Sequence, residues 1–169
     1  MIDTDELVKR NAEFTDRGSF AYLRLRPQGS LTVIGWVDPR VTPSDVFGLK
    51  LGEAAVIGNV GGRVTPATLT VVKARTGGPD PGDNHYAALH HTDCGIADLS
   101  AFPQLLADFF EVLAADMAAR AVTNPVAAAG VDVGIFRQKL RAGVFVLGPA
   151  YDAATGLVDV VVPPARVEA

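Results

Sequence analysis

Leu31-Thr32-Val33-Ile34-Gly35-Trp36 is a short apolar run rich in β-branched residues, and it stops at Asp38-Pro39-Arg40. That is the pattern of a buried core strand ending at a loop. Immediately after it, Thr42-Pro43-Ser44-Asp45 supplies a helix start with proline in the first turn, and Leu49-Lys50-Leu51-Gly52 closes that segment. A second apolar run, Ala54-Ala55-Val56-Ile57, ends in Gly58-Asn59-Val60-Gly61-Gly62, where glycine permits positive φ or close backbone approach. A helix over 65–73 follows. The turn-rich stretch Gly77-Gly78-Pro79-Asp80-Pro81-Gly82-Asp83-Asn84 then leads into a third strand, Tyr86-Ala87-Ala88-Leu89-His90, which runs directly into His91-Thr92-Asp93-Cys94-Gly95.

Further out, Phe102, Leu105, Leu106, Phe109, Leu113 and Met117 keep helical spacing, which predicts one long helix over 101–122. Another helix is expected over 132–141. Strands are expected over 144–148 and 157–162, the last as an edge, with residues 163–169 a loose tail. At the other end, Leu7, Val8, Ala12 and Phe14 among charges predict an amphipathic helix over 4–15, within an arm of residues 1–20. Alternating strands and helices give an α/β fold with a central, mostly parallel β-sheet flanked by helices, in one domain over 1–169.

A chain of 169 residues is long enough to bury roughly 70% of its unfolded surface without a covalent staple. No apolar run approaches the ~18 residues of a membrane span, so no membrane partner is expected. The formal charge of −4 and the lack of a Lys/Arg cluster leave no footprint for nucleic acid; the alternation Tyr22-Leu23-Arg24-Leu25-Arg26 is read as the polar side of an amphipathic segment. Acids at Asp3, Asp5 and Glu6 stand where a secretory signal carries basic residues, and a single cysteine, Cys94, suits a reducing compartment. A cytoplasmic protein is expected. The chain has no phosphate loop of the Gly-x-x-x-x-Gly-Lys type and no Gly-x-Ser-x-Gly elbow.

In open α/β sheets, ligands bind beyond the carboxyl ends of the strands. Asp38 and Arg40 follow the first strand, and His91 and Cys94 follow the third. If these strands are neighbours, an imidazole, a thiol and a carboxylate share one crevice, a donor set that zinc accepts. The structural alternatives are an Asp38–Arg40 ion pair, a satisfied His91 at a strand end, and Cys94 as a packing residue. His85 and His90 are read as ordinary, and Asp93 as a cap for the following turn.

Three segments, Trp36-Val37-Asp38-Pro39-Arg40, Val56-Ile57-Gly58-Asn59-Val60-Gly61-Gly62 and His91-Thr92-Asp93-Cys94-Gly95, resemble in order and spacing the signatures of β-carbonic anhydrases. Tyr151-Asp152-Ala153-Ala154-Thr155-Gly156-Leu157 also resembles the family's last hairpin. The resemblance implies a homodimer or higher oligomer on a parallel sheet, zinc held by two Cys and one His, and an Asp–Arg pair that orients the fourth ligand. His91 and Cys94 are thereby implied as metal ligands, Asp38 and Arg40 as the catalytic pair, and carbon dioxide or bicarbonate as substrate. The family uses zinc to lower the pKa of bound water to about 7. This sequence departs twice: Trp36 stands where the first Cys ligand belongs, and Gly58 stands where Arg precedes the Asn. An indole has no lone pair for a metal, so a rebuilt site needs Asp38 as replacement ligand. The readings left open are an atypical zinc lyase, a metal-free enzyme using Cys94 with His91, and a pseudoenzyme in which Trp36 plugs the metal cavity.

Overall fold

The computed structural model describes all residues except 1, 2, 25, 26, 28 and 77–83. Leu25 and Arg26 of the expected amphipathic alternation, and most of the turn-rich stretch before the third strand, lie outside the described residues. In chain order the elements are α1 (Thr4–Asp16), β1 (Leu31–Trp36), α2 (Pro43–Val46), β2 (Ala55–Asn59), α3 (Pro66–Thr76), β3 (His85–Ala88), β4 (His90–His91), α4 (Pro103–Phe110), α5 (Pro125–Lys139), β5 (Phe145–Tyr151) and β6 (Val158–Arg166).

β1 pairs in parallel with β2 on one side and with β3 on the other. β3 and β4 pair in parallel with β5 at the same offset, His85 opposite Phe145 and His90 opposite Ala150, so they are one strand interrupted at Leu89. β6 returns antiparallel along the far side of β5 as an edge. The period of two sorts side chains onto the sheet's faces. Ile34, Tyr86, Ala88 and Val146 join one core cluster with Val72, Val133 and Phe136 from the helices. Val33, Ala87 and Leu89 enter another with Val41. These buried side chains each contribute on the order of 1.5–3 kcal/mol when large and apolar.

Three expectations are corrected. The helix over 101–122 stops at Phe110, because Glu111 adopts a left-handed conformation (φ 52°) and Leu113 is extended. A 3-10 segment, Ala114–Arg120, follows instead, and this reversal brings Met117 and Val122 back onto Ile96, Leu106 and Phe110. Apolar spacing alone does not reveal such a break. The second helix begins at Pro125, seven residues before the expected Asp132, with Asn124 as cap accepting from the Ala127 amide. The tail is not loose as far as residue 167. β6 continues to Arg166 through Pro163 and Pro164, which an edge strand tolerates because its outer N–H groups have no ladder partner, and Val167 is buried with its amide donating to the Val144 carbonyl.

Candidate functional site

Because β1 and β3 are neighbours, their carboxyl ends open into one crevice of about 470 Å³. Trp36, Asp38, Arg40, His91 and Cys94 all line it, as the sequence pattern anticipates. Of the glycine-turn residues, only Gly61 reaches the lining. Gly58, Asn59 and Gly62 stand behind it. At Gly62 (φ +62°) a Cβ would lie 2.7 Å from the Leu89 carbonyl oxygen, so glycine is required where the turn passes beneath the strand interruption. Asn59 stitches the turn closed by accepting from the Arg63 amide (2.8 Å) and donating to the Arg63 carbonyl (2.7 Å).

Asp38 and Arg40 form a tight two-residue clamp. Asp38 accepts from the Arg40 amide at 2.9 Å and from its guanidinium Nη2 at 2.8 Å and Nε at 3.1 Å. These bonds hold the Asp38 carboxyl at about 2, below the usual carboxylate range. Arg40 also donates from Nη1 to Asp93 Oδ2 (2.7 Å) and from Nη2 to the Asp93 carbonyl (2.9 Å), tying the loop after β1 to the loop after β4. Asp93 is therefore no turn cap. Its backbone is left-handed (φ 53°), and its carboxylate belongs to Arg40.

His91 is buried, and its Nδ1 lies 2.8 Å from the Thr92 carbonyl oxygen. A carbonyl only accepts, so Nδ1 carries the proton and Nε2 holds the free lone pair of a neutral imidazole. Burial pushes the His91 pKa down, favouring that neutral form. Nε2 is buried without a hydrogen-bond partner. The Trp36 ring meets the imidazole edge-on at 5.2 Å and reaches over Gly95, and both Trp36 and Cys94 pack against the apolar cluster of Ile96, Leu106 and Phe110. That burial raises the Cys94 thiol to about 11.

The crevice has a second arginine that the sequence reading passed over. Arg63 and Asp132 form an ion pair at 2.8 Å with side chains only 1% and 0% exposed. Arg63 Nη2 also donates to the Arg120 carbonyl (2.7 Å), and its guanidinium lies over the Phe110 ring. His90, read as ordinary, is part of this network: its Nε2 sits 3.1 Å from Asp132 Oδ2, in a geometry short of a hydrogen bond. Burial works to raise the Asp132 pKa, but His90 and Arg63 outweigh it and hold the carboxyl low. The available signal was a lone Arg after Gly61-Gly62 and a lone Asp in the apolar stretch Ala127–Phe136. His85, by contrast, is ordinary in the sense expected, stacked on Phe145.

No family model matches the chain. Among curated sequences, β-carbonic anhydrase 1 of Mycobacterium tuberculosis is 30% identical over 98 residues, a stretch covering 57% of this chain and 57% of that protein. The match thus spans little more than half the relative's length. The crystal structure of carbonic anhydrase from Streptococcus mutans aligns over 99% of both chains, with a TM-score of 0.67 and 24% identity. The chain has the fold of the β-carbonic anhydrases. The same fold is seen in the tetrameric β-carbonic anhydrases of Sordaria macrospora, at a TM-score of 0.69 and 14% identity over 96% of this chain and 98% of that one.

The zinc that the β-carbonic anhydrase resemblance implies can be tested against these residues. His91 Nε2, with its orphaned lone pair, suits a metal, and Cys94 stands in the same crevice. The third ligand fails. Trp36 offers none, and Asp38, the expected replacement, is engaged by Arg40 through both oxygens. Among the described residues, no three His, Cys, Asp or Glu side chains converge to hold an ion. The residues present do not fit a zinc held by three side chains.

Proposed function

We propose that this β-carbonic anhydrase homologue uses its crevice to bind carbon dioxide or bicarbonate in a binding or regulatory role, without a hydroxide-forming metal. One observation carries the reading: the Trp36 indole stands against His91, where the resemblance puts a thiolate ligand. Thiol catalysis has less support, because a cysteine near 11 is almost wholly protonated at neutral pH and a poor nucleophile. The α1 helix has no buried residue and leaves Leu7 and Val8 exposed, which supports a homodimer or larger oligomer with this arm on a second copy. The single cysteine supports a reducing, cytoplasmic setting. Among the described residues no helix is long and apolar enough to cross a membrane.

A second reading, reversible hydration of carbon dioxide at a rebuilt zinc site, is favoured by the free lone pair of His91 Nε2. It requires Asp38 to leave Arg40. The two readings separate on metal content by elemental analysis of protein purified without chelators, beside Cys94→Ser and Trp36→Cys variants. The metal-free reading expects far less than one zinc per chain in the natural protein. Trp36→Cys, which restores the missing ligand type, is expected to take up about one zinc per chain and to gain carbon dioxide hydration. About one zinc per natural chain, lost in Cys94→Ser, overturns the metal-free reading.

A further inference from the structure

The chain reversal after α4 forms one wall of the crevice. Val122 and Thr123 line the crevice, and the same two residues line a second cavity of about 250 Å³, bounded also by Ser100, Pro103, Leu106 and Met117. They are thus a partition between a polar space and a more apolar one. Closing that partition strains the backbone. Glu111 (φ 52°) and Ala121 (φ 50°) are both left-handed, a conformation that crowds a residue with a Cβ and that glycine adopts freely. The 3-10 segment between them, Ala114–Arg120, contains no buried residue. Little holds it down. Among the described residues, one hydrogen bond ties residues 113–123 to a distant part of the chain, from Arg63 Nη2 to the Arg120 carbonyl (2.7 Å). The Arg120 guanidinium adds a contact over the Phe110 ring at 5.6 Å, and Met117 and Val122 rest, partly buried, on Ile96, Leu106 and Phe110. A single latch, few buried contacts and two strained turns mark a segment that opens before the rest of the fold. The latch itself is firm at its inner end, because Asp132 fixes Arg63 in the interior.

We infer that residues 111–123 are a gate, which opens as one unit when Ala121 leaves its left-handed conformation, and which then joins the side chamber to the crevice. Trp36 and Cys94 pack against the same cluster as Met117 and Val122, so opening uncovers them from the side opposite the solvent-exposed rim. A molecule with a compact apolar body reaches them by this route without passing the charged cluster of Asp38, Arg40 and Asp93. The gate is independent of the metal question, because Asp38, His91 and Cys94 all lie outside it.

The test is native-state hydrogen exchange on the full chain, resolved at the Val112 and Ala121 amides, which donate to the Ala107 and Ala118 carbonyls. Both are expected to exchange about a hundredfold faster than the amides in the middle of α5. Two variants push the gate in opposite directions. Ala121→Gly relieves the left-handed strain and is expected to slow exchange at Val112 as well as at residue 121 by about fivefold. Arg120→Ala removes the contact over Phe110 and is expected to speed exchange at both amides. Acrylamide quenching of Trp36, the sole tryptophan, is expected to fall in the first variant and rise in the second. Exchange at Val112 that neither variant moves would show independent fraying rather than one gate, and overturns the inference. So does exchange of residues 111–123 only together with α5. Should Arg120→Ala fail to fold, the natural protein and Ala121→Gly still decide between these outcomes.

Discussion

Arg40 and Arg63 both line the crevice and both grip an aspartate at 2.8 Å, yet their surroundings could hardly differ more. The Arg40 side chain is 51% exposed and its second partner Asp93 78%, whereas Arg63 and Asp132 are sealed from water. In water the Coulomb attraction of the outer cluster is weak and screened by salt, so its role is to pin two loops together. Inside the protein the same chemistry is severe, because removing either partner strands a charge in a medium that cannot solvate it. The rim cluster is thus adjustable, and the inner one is part of the fold.

The largest effect that would sharpen this contrast is Asp132→Ala, which leaves Arg63 buried and unpaired. It is expected to lower the unfolding free energy by about 3–5 kcal/mol, read by urea denaturation; a loss below about 1 kcal/mol, the range of exposed pairs, would erase the distinction. An intermediate effect is expected from acid. The carboxyls of Asp38 and Asp132 are both depressed in the folded state, so the unfolded chain binds more protons as pH falls. Their stabilisation is complete above about pH 4 and is lost below it, for Asp38 as pH falls towards about 2. Asp38→Asn should flatten part of that decline in the urea midpoint between pH 5 and pH 2, and an unchanged slope would show the rim pair to be inert. The smallest effect is that of Arg40→Leu, expected to shift the thermal midpoint less than Asp132→Ala does and to lose most of its difference from the natural protein in 1 M salt. A salt-insensitive loss would mean that Arg40 acts through packing.

This contrast also marks what the sequence discloses. β1, the Gly58–Gly62 turn and the His91–Cys94 pair are local patterns, and each lies where the strand endings and turn residues put it. The Arg63–Asp132 pair joins residues 69 positions apart, and nothing in the immediate neighbourhood of either residue announces the other. The break after Phe110 was hidden for a different reason: helical spacing counts apolar residues, while the left-handed turn at Glu111 is set by the need to fold Met117 and Val122 back onto the cluster. The Asp38–Arg40 pairing was legible two residues apart, whereas that Arg40 engages both carboxylate oxygens and also reaches Asp93 was not.

The position of β5 has a consequence for how the chain is made. It pairs with β3 and β4 across an offset of sixty residues, and β6 depends on it in turn. Until residue 151 has been synthesised, β1 and β3 have apolar faces and one open ladder, the condition in which nascent sheets find wrong partners. A chain interrupted anywhere before β5 is therefore a sticky half-sheet rather than a smaller working protein, and heterologous production will reward slow synthesis and low temperature while β5 and β6 are being made.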